Sequence, residues 1–493
     1  MTNYPVILQR SVEFRDPHDC TDSGDALALL DAVFDAPVRR RPDGGFAPAL
    51  AEGWTVSPDA RTWTLTLREG LSFHDGRPID GSVMAASIAR MQRPDVGATL
   101  GAPAVWGQYL GDAEIASPDA RTVTIRTVEP LADLLDILVS AYAVPPEVDD
   151  PGFMEKPVGS GAYRVEALRE GEEIRLAANP HWYGGALANS ALTVRCEPEA
   201  DRRAEAVVAG EAALATRLLP SRHASPVERA GRHWTAYTDP TAIIFLLNAA
   251  RGPCADPRVR RALTLAVDRA RLIDTVLDGD GDILSGFVSA VHFGVSERQG
   301  AADLSNPDTA RALLAEAGFA DGLALTVDTP TRLPDEALAL TRALGDQLAA
   351  VGVTLTARVT EDRVAYAEQV RDKRIGDLAV FDSSPMSTFR VLYEKIDSRI
   401  AGSWWQGYAN GSVEALLDRA RRTVDDGDRA GLYGEAYRAL LADPAWIPLY
   451  HHRFGVASTT ARASVPAPGP VRADGVLDVT LLPDLSDGKG ERT

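Results

Sequence analysis

A chain of 493 residues that is 45% hydrophobic and 25% charged is long enough for two to four lobes with cores of their own, which excludes a disordered or fibrous class. Its net charge of −19, from 51 basic and 70 acidic residues, repels phosphate backbones and argues against nucleic acid as a partner. No apolar run approaches the roughly 18–20 residues of a membrane-spanning helix, and the dispersed Cys20, Cys196 and Cys254 form no metal or redox motif.

From the start, PVILQRSVEF reads as a strand closed by Asp16-Pro17, and ALALLDAVFDAPV as a helix with Asp22 and Ser23 as natural N-cap residues. TWTLTL alternates polar and apolar side chains after the turn SPDART at 57–62, which makes a hairpin. SPDART recurs at 117–122 before a second strand-like run, VTIRTVE. One mixed β-sheet with the helix GSVMAASIARMQ between the two hairpins is expected.

PVGSGAYRVEALREGEEIRLAANPHWYGG then gives two strands and an Asn-Pro stop. TAIIFLLNAA is apolar throughout, the mark of a buried strand. DPRVRRALTLAVDRARLIDTVLDG reads as one long amphipathic helix ending at Gly279. TARALLAEAGF with LALTVDT, and ALALTRALGDQLAAVGV with TLTARV, are helix–strand units of an α/β lobe.

The segment at 48–91, PALAEGWTVSPDARTWTLTLREGLSFHDGRPIDGSVMAASIARM, resembles along its whole length the signature of the family 5 extracellular solute-binding proteins, the dipeptide-, oligopeptide- and nickel-binding group of ABC importers. Asp16-Pro17-His18, Gly159-Ser160-Gly161-Ala162-Tyr163, Asn179-Pro180-His181-Trp182-Tyr183, and the runs 256–268, 313–322 and 420–450 are similar in the same order. The resemblance implies a two-lobed periplasmic-binding-protein-like α/β fold (type II, cluster C) with an extra β-rich domain. Lobe I would comprise 1–38, 155–238 and 463–493, the extra hairpin-rich domain 39–154, and lobe II 239–462. It further implies a non-enzymatic, monomeric component of an importer that captures a peptide-like or chelated small molecule (peptide, opine or metal chelate) in an interlobe cleft. ABC permease subunits would be its protein partners, with no nucleic acid, cofactor or metal.

The loop FDSSPMSTFR at 381–390 stands where that family places a ligand-lining loop, and Asp382, Ser383 and Ser384 offer donors and acceptors at a strand end. An aspartate of this loop pairs with the ligand's amino terminus in peptide-binding members, and Asp382 is the nearby candidate. Ser-Pro-Met-Ser-Thr replaces the usual acidic-Pro pattern. Arg390 can meet a carboxylate through its planar fork.

Trp404, Trp405 and Tyr408 form an aromatic cluster suited to walling a ligand. His18, Asp22 and Ser23 near the first strand's end, and Trp106 with Tyr109 in the hairpin domain, complete the ligand-binding candidates. His451 and His452 are adjacent on a strand and so point to opposite faces, which argues against a metal pair. Asp278, Asp280 and Asp282 read as a solvated turn without the downstream glutamate of a calcium loop.

No nucleophile elbow, Walker loop or zincin motif is present. The opening residues show no secretory signal. The importer role therefore predicts a periplasmic or cell-surface location if a signal peptide is missing from this chain. If Met1 is the true start, the location is cytoplasmic, and the alternatives are a cytoplasmic ligand-binding protein or an enzyme recruited from the same fold.

Overall fold

The computed structural model describes residues 4–19, 23–41, 45–98, 104–284, 286–289, 292–295, 305–332, 334–383, 387–400, 406–460, 469–472 and 474–485. The chain divides into two units: unit 1 contains Met1–Thr99, Pro103–Tyr237 and Arg453–Thr493, and unit 2 contains Thr238–His452. The hairpin-rich segment at 39–154 thus clusters with unit 1.

In chain order, the strands of unit 1 begin with β1 (Val6–Gln9), β2 (Val38–Arg40), β3 (Phe46–Pro48), β4 (Ala51–Val56), β5 (Thr62–Leu67), β6 (Glu114–Ala116) and β7 (Thr122–Arg126). They continue with β8 (Tyr163–Arg169), β9 (Glu173–Ala178), β10 (Ala191–Cys196) and β11 (Leu214–Leu218). β12 (His233–Leu247) starts in unit 1 and continues into unit 2.

β1 runs parallel to both β10 and β11, with Ile7 opposite Val194 on one side and Leu214 on the other. Its side chains alternate between two cores: Ile7 joins Phe14, Phe34, Val194 and Leu214, whereas Leu8 joins Val207, Ala215 and Ala457. The helix Gly24–Val33 follows because Ser23 is extended and its Oγ accepts a hydrogen bond from Ala26 N at 3.3 Å.

The two SPDART turns feed neighbouring strands. Asp59 Oδ1 accepts from Arg61 N, Asp119 Oδ1 accepts from Arg121 and Thr122 N, and β5 pairs with β7 through Leu65 opposite Val123. The sheet is β4-β5-β7-β6 and antiparallel throughout, not mixed as the sequence suggested. Each hairpin is antiparallel within itself because it returns within a few residues, and β5 meets β7 antiparallel across the long connection that carries the helix Gly81–Arg90. Trp63, Leu65 and Leu67 are buried on alternate positions of β5 as the pattern required.

The helix Gly81–Arg90 packs on β6 and β7 and is capped by Asp80, whose carboxylate accepts from Ser82 N and Val83 N. Asp80→Ala is expected to cost about 1 kcal/mol in urea denaturation, the worth of one N-cap.

Unit 2 adds β13 (Gly281–Ile283), β14 (Leu323–Pro330), β15 (Val353–Thr360), β16 (Leu378–Ser383) and β17 (Trp446–Ser458), the last continuing into unit 1, where it pairs with β11. Strand order is β15-β14-β16-β12-β17, with β14 parallel to β15 and β16, and β12 antiparallel to β16. The helix–strand units predicted from 307 onward appear as helices Pro307–Glu316 and Ala337–Ala349 leading into β14 and β15.

The predicted long helix is two, Pro257–Leu265 and Arg269–Leu277. Asp268 breaks it: its backbone N–H and C=O are both taken by the Gln347 amide, at 2.7 and 3.0 Å, and its carboxylate caps Arg271 N. The second helix ends as expected, with Asp278 and Gly279 in the left-handed region. Asp280, expected in a solvated turn, is buried, and Asp282 Oδ2 accepts from the Thr238 hydroxyl at 2.5 Å as β13 joins β17.

Candidate functional site

Four described candidates belong to unit 1: His18, Ser23, Trp106 and Tyr109. His18 is fully buried in the loop after β1. Its Nε2 lies 2.9 Å from Tyr142 O and its Nδ1 3.0 Å from Arg90 Nη1. A carbonyl only accepts and a guanidinium only donates, so Nε2 carries the proton and the ring is neutral in one tautomer. Burial, then the Arg90 charge, pushes its pKa down to about 4.

Arg90 also donates to Asp16 at 2.5 and 2.9 Å and to Asp149 at 2.8 and 3.1 Å. Burial raises the Asp16 carboxyl, but the Arg90 hydrogen bonds and charge outweigh it and hold the group below its ordinary value. Trp106, also fully buried, donates its Nε1–H to His18 O at 2.6 Å. Sequence reasoning offered His18 and Trp106 as ligand contacts. The structure brings them together, but in a buried network that occupies both ring nitrogens of His18 and the indole N–H within unit 1. Tyr109 is buried nearby in the chain, Ser23 is the helix cap already described, and Asp22 lies outside the described residues.

At the end of β1 the structure shows residues that the sequence reading missed. Leu8 pairs with Ala215, so Gln9 and Thr216 are the next positions of the two parallel strands. Among the described residues, Gln9 Oε1 and Thr216 Oγ1 are buried without a hydrogen-bond partner. Arg217 follows with φ of 52°, its guanidinium 4.6 Å from the Phe454 ring centroid. A non-glycine residue in that region stores strain of the kind found at working sites. A glutamine ending an otherwise apolar strand, VILQ, was the available signal.

In unit 2, β16 ends in Asp382 opposite Ile243 and Ser383 opposite Ala242. Ser387 then caps the helix Thr388–Lys395 by accepting from Arg390 N at 3.1 Å. Arg390 is 2% exposed and its Nε and Nη2 reach Glu394 Oε1 at 2.9 and 2.7 Å, so its fork engages the carboxylate one turn on. Tyr408 is buried too, donating to Asp443 O at 3.0 Å beneath the Arg260 guanidinium. Ser384, Trp404 and Trp405 lie outside the described residues.

On β17, Tyr450 OH and His452 Nε2 both reach Glu336 Oε1, at 2.7 and 2.8 Å, while the intervening His451 turns away and places Nδ1 3.0 Å from Thr241 O. The neighbouring imidazoles therefore diverge. Among the described residues no cluster of three or more His, Cys, Asp or Glu could hold a metal ion. What the two units offer is hydrogen-bonding side chains at strand ends, a chemistry of recognition.

The model of the bacterial extracellular solute-binding proteins, family 5 Middle, matches residues 45–388. The glutathione-binding protein GsiB of Escherichia coli (strain K12) is 26% identical over 454 residues, spanning 88% of this chain and 86% of that protein. Among solved structures, AgaA from A. tumefaciens R10 in complex with agropinic acid is similar with a TM-score of 0.77 at 20% identity over 97% of both chains. DppA from Helicobacter pylori in complex with the peptide STSA is similar with a TM-score of 0.76 at 21% identity, again over 97% of both.

Proposed function

We propose, from the premise that this chain belongs to the bacterial extracellular solute-binding proteins of family 5, that it is the solute-capturing component of an ABC importer and takes a peptide-like small molecule. The observation that carries this reading is the nearly end-to-end likeness to a glutathione-binding protein, 88% of the chain. Likenesses of fold to proteins holding agropinic acid and a tetrapeptide support it. Among the described residues no helix is long and apolar enough to cross a membrane.

Asp382 and Ser383 are the described contacts proposed for the solute, together with Ser384, Trp404, Trp405 and Asp22. His18, Trp106, Arg390 and Tyr408 serve as frame, because the side-chain atoms named above are engaged within the protein. The protein acts outside the cytoplasm and unchanged solute leaves it.

The test is a thermal-unfolding and calorimetric screen with reduced glutathione, Ser-Thr-Ser-Ala and agropinic acid. At least one is expected to raise the melting temperature, since a solute present at 100 times its Kd adds about 2.7 kcal/mol. It should also be recovered chemically intact. Asp382→Asn should weaken that solute at least tenfold, about 1.4 kcal/mol. Failure of all three probes, or conversion of one into another compound, would sink the reading.

A further inference from the structure

Lysine is scarce in this chain: of its 51 basic residues only four, Lys156, Lys373, Lys395 and Lys489, are not arginine. Two of those four, Lys373 and Lys395, are close enough in unit 2 for the charge of one to act on the other. Arginine serves better wherever a fixed charge or a planar fork is wanted, whereas lysine is the cation that can give up its proton. The pairing points to amine chemistry.

Lys373 sits just past the helix Arg363–Arg371, where its N–H donates to Val370 O at 3.1 Å and the Arg374 N–H donates to Gln369 O at 3.0 Å. These two bonds close the helix by the turn that ordinarily places glycine at this position. Lys373 has a φ of 60° there. An L side chain is strained in that region, and strain of this kind gathers where a side chain is put to use.

The surroundings hold the amine short of a proton. Lys373 is partly buried, and Lys395, at the end of the helix Thr388–Lys395, is 6% exposed with its Nζ 5.8 Å from the Phe381 ring centroid. Burial pushes the Lys373 pKa down to about 8; Asp372 opposes the fall and the Lys395 ammonium adds to it. The Asp372 carboxylate is itself shared by Arg371 Nε at 3.2 Å and Arg374 Nη2 at 3.1 Å. At about pH 7.5 roughly a quarter of such amines are neutral, against about a thousandth of ordinary lysines.

A neutral amine set among cations favours an electrophile that gives an anionic adduct and is small enough to reach a partly buried group. Carbon dioxide meets both conditions. We infer that Lys373 is a carbamate site: its Nζ lone pair bonds to the carbon of carbon dioxide, one C=O π pair moves onto oxygen, and an N–H proton leaves to solvent. The product is a carbamate anion in the field of the Lys395 ammonium, so a repulsive pair becomes an attractive one. Carbon dioxide is then a stabilising ligand of unit 2, whichever solute the protein carries.

The experiment traps carbamates on the full chain with triethyloxonium ion at about pH 7.5, in bicarbonate and in chloride of equal ionic strength, and maps the ethylated adducts by peptide mass spectrometry. The α-amino group, whose ordinary pKa is also near 8, is the internal positive control. Lys373 is expected to carry at least tenfold more adduct than the exposed Lys156. Lys395→Gln should cut the Lys373 adduct several-fold, because it removes the neighbouring charge. Bicarbonate should raise the melting temperature of wild type and leave that of Lys373→Arg unchanged, since a guanidinium keeps the charge without the chemistry.

An adduct on Lys373 no greater than on Lys156 would overturn the inference. A bicarbonate response that persists in Lys373→Arg would also overturn it, because the effect would then belong to the α-amino group or to the salt. An adduct undiminished in Lys395→Gln would remove Lys395 from the site. None of these readings involves a solute, so each leaves the proposed importer role as it stands. Should Lys395→Gln not fold, Lys373→Arg and the adduct map carry the comparison.

Discussion

Gly159→Ala is expected to destabilise unit 1 by about 4 kcal/mol or more, a range that overpacking of the interior is one of the few mechanisms to reach. A Cβ at Gly159 would lie 2.0 Å from Val33 O and 2.9 Å from Val33 C, and one at Gly161 would lie 2.6 Å from Ala32 O. These are backbone atoms at the end of the helix Gly24–Val33, and they cannot swing aside as a side chain could. The same loop is pinned from the other side by His74: Gly159 N donates to His74 Nδ1 at 3.2 Å, and His74 Nε2 lies 3.1 Å from Gly161 O. Gly161 N donates to Val33 O at 2.8 Å. A shift large enough to admit a methyl group therefore breaks bonds on both sides at once. Gly53→Ala is the control, because a Cβ there meets nothing within 4 Å. It should change stability by less than about 1 kcal/mol in the same urea titration. Equal losses in the two variants would refute the close-packing account.

Local pattern and turn chemistry made much of the fold legible. The alternation in TWTLTL placed Trp63, Leu65 and Leu67 on the buried face, and the repeated SPDART announced two turns whose aspartates do bind the backbone two residues on. The amphipathic period ran on through Ala266-Val267 and hid a helix break. What decides that break is Gln347, 79 positions away, taking both backbone groups of Asp268. Distance in sequence limited the reading of the site in the same way. His18 and Trp106 were candidates for ligand contact, but what engages them lies far along the chain: Arg90 and Tyr142 meet the His18 ring, and Trp106 donates to His18 O across 88 positions. His451 was legible as a residue on a strand, diverging from His452. Which of its ring nitrogens meets Thr241 O depends on the neighbouring strand β12. Asp382 and Ser383 could be singled out because a strand end followed by Ser-Pro is itself a local signal.

Stability should fall by about 3 kcal/mol on account of His18 alone as pH drops from 6.5 toward 4. The sign follows from which state binds the proton. In the unfolded chain the imidazole protonates near its ordinary 6.5, whereas in the folded protein it resists protonation until about 4. Acid between those values therefore stabilises the unfolded chain only. The contribution is complete above pH 6.5, is lost progressively through the window, and levels off below about 4. His74 and His451 are held low chiefly by burial as well, so they add to the decline from the same upper edge. Asp16 acts elsewhere: its depressed carboxyl stabilises the fold above its unfolded value of 3.8 and matters only in stronger acid. Urea titrations of wild type and His18→Gln at pH 7.5 and 4.5 isolate the ring's share, and wild type should lose about 2–3 kcal/mol more than the variant across that interval. Equal losses would mean that His18 takes up its proton in the folded state. Nδ1 would then carry hydrogen toward a guanidinium 3.0 Å away, two donors and two positive charges face to face.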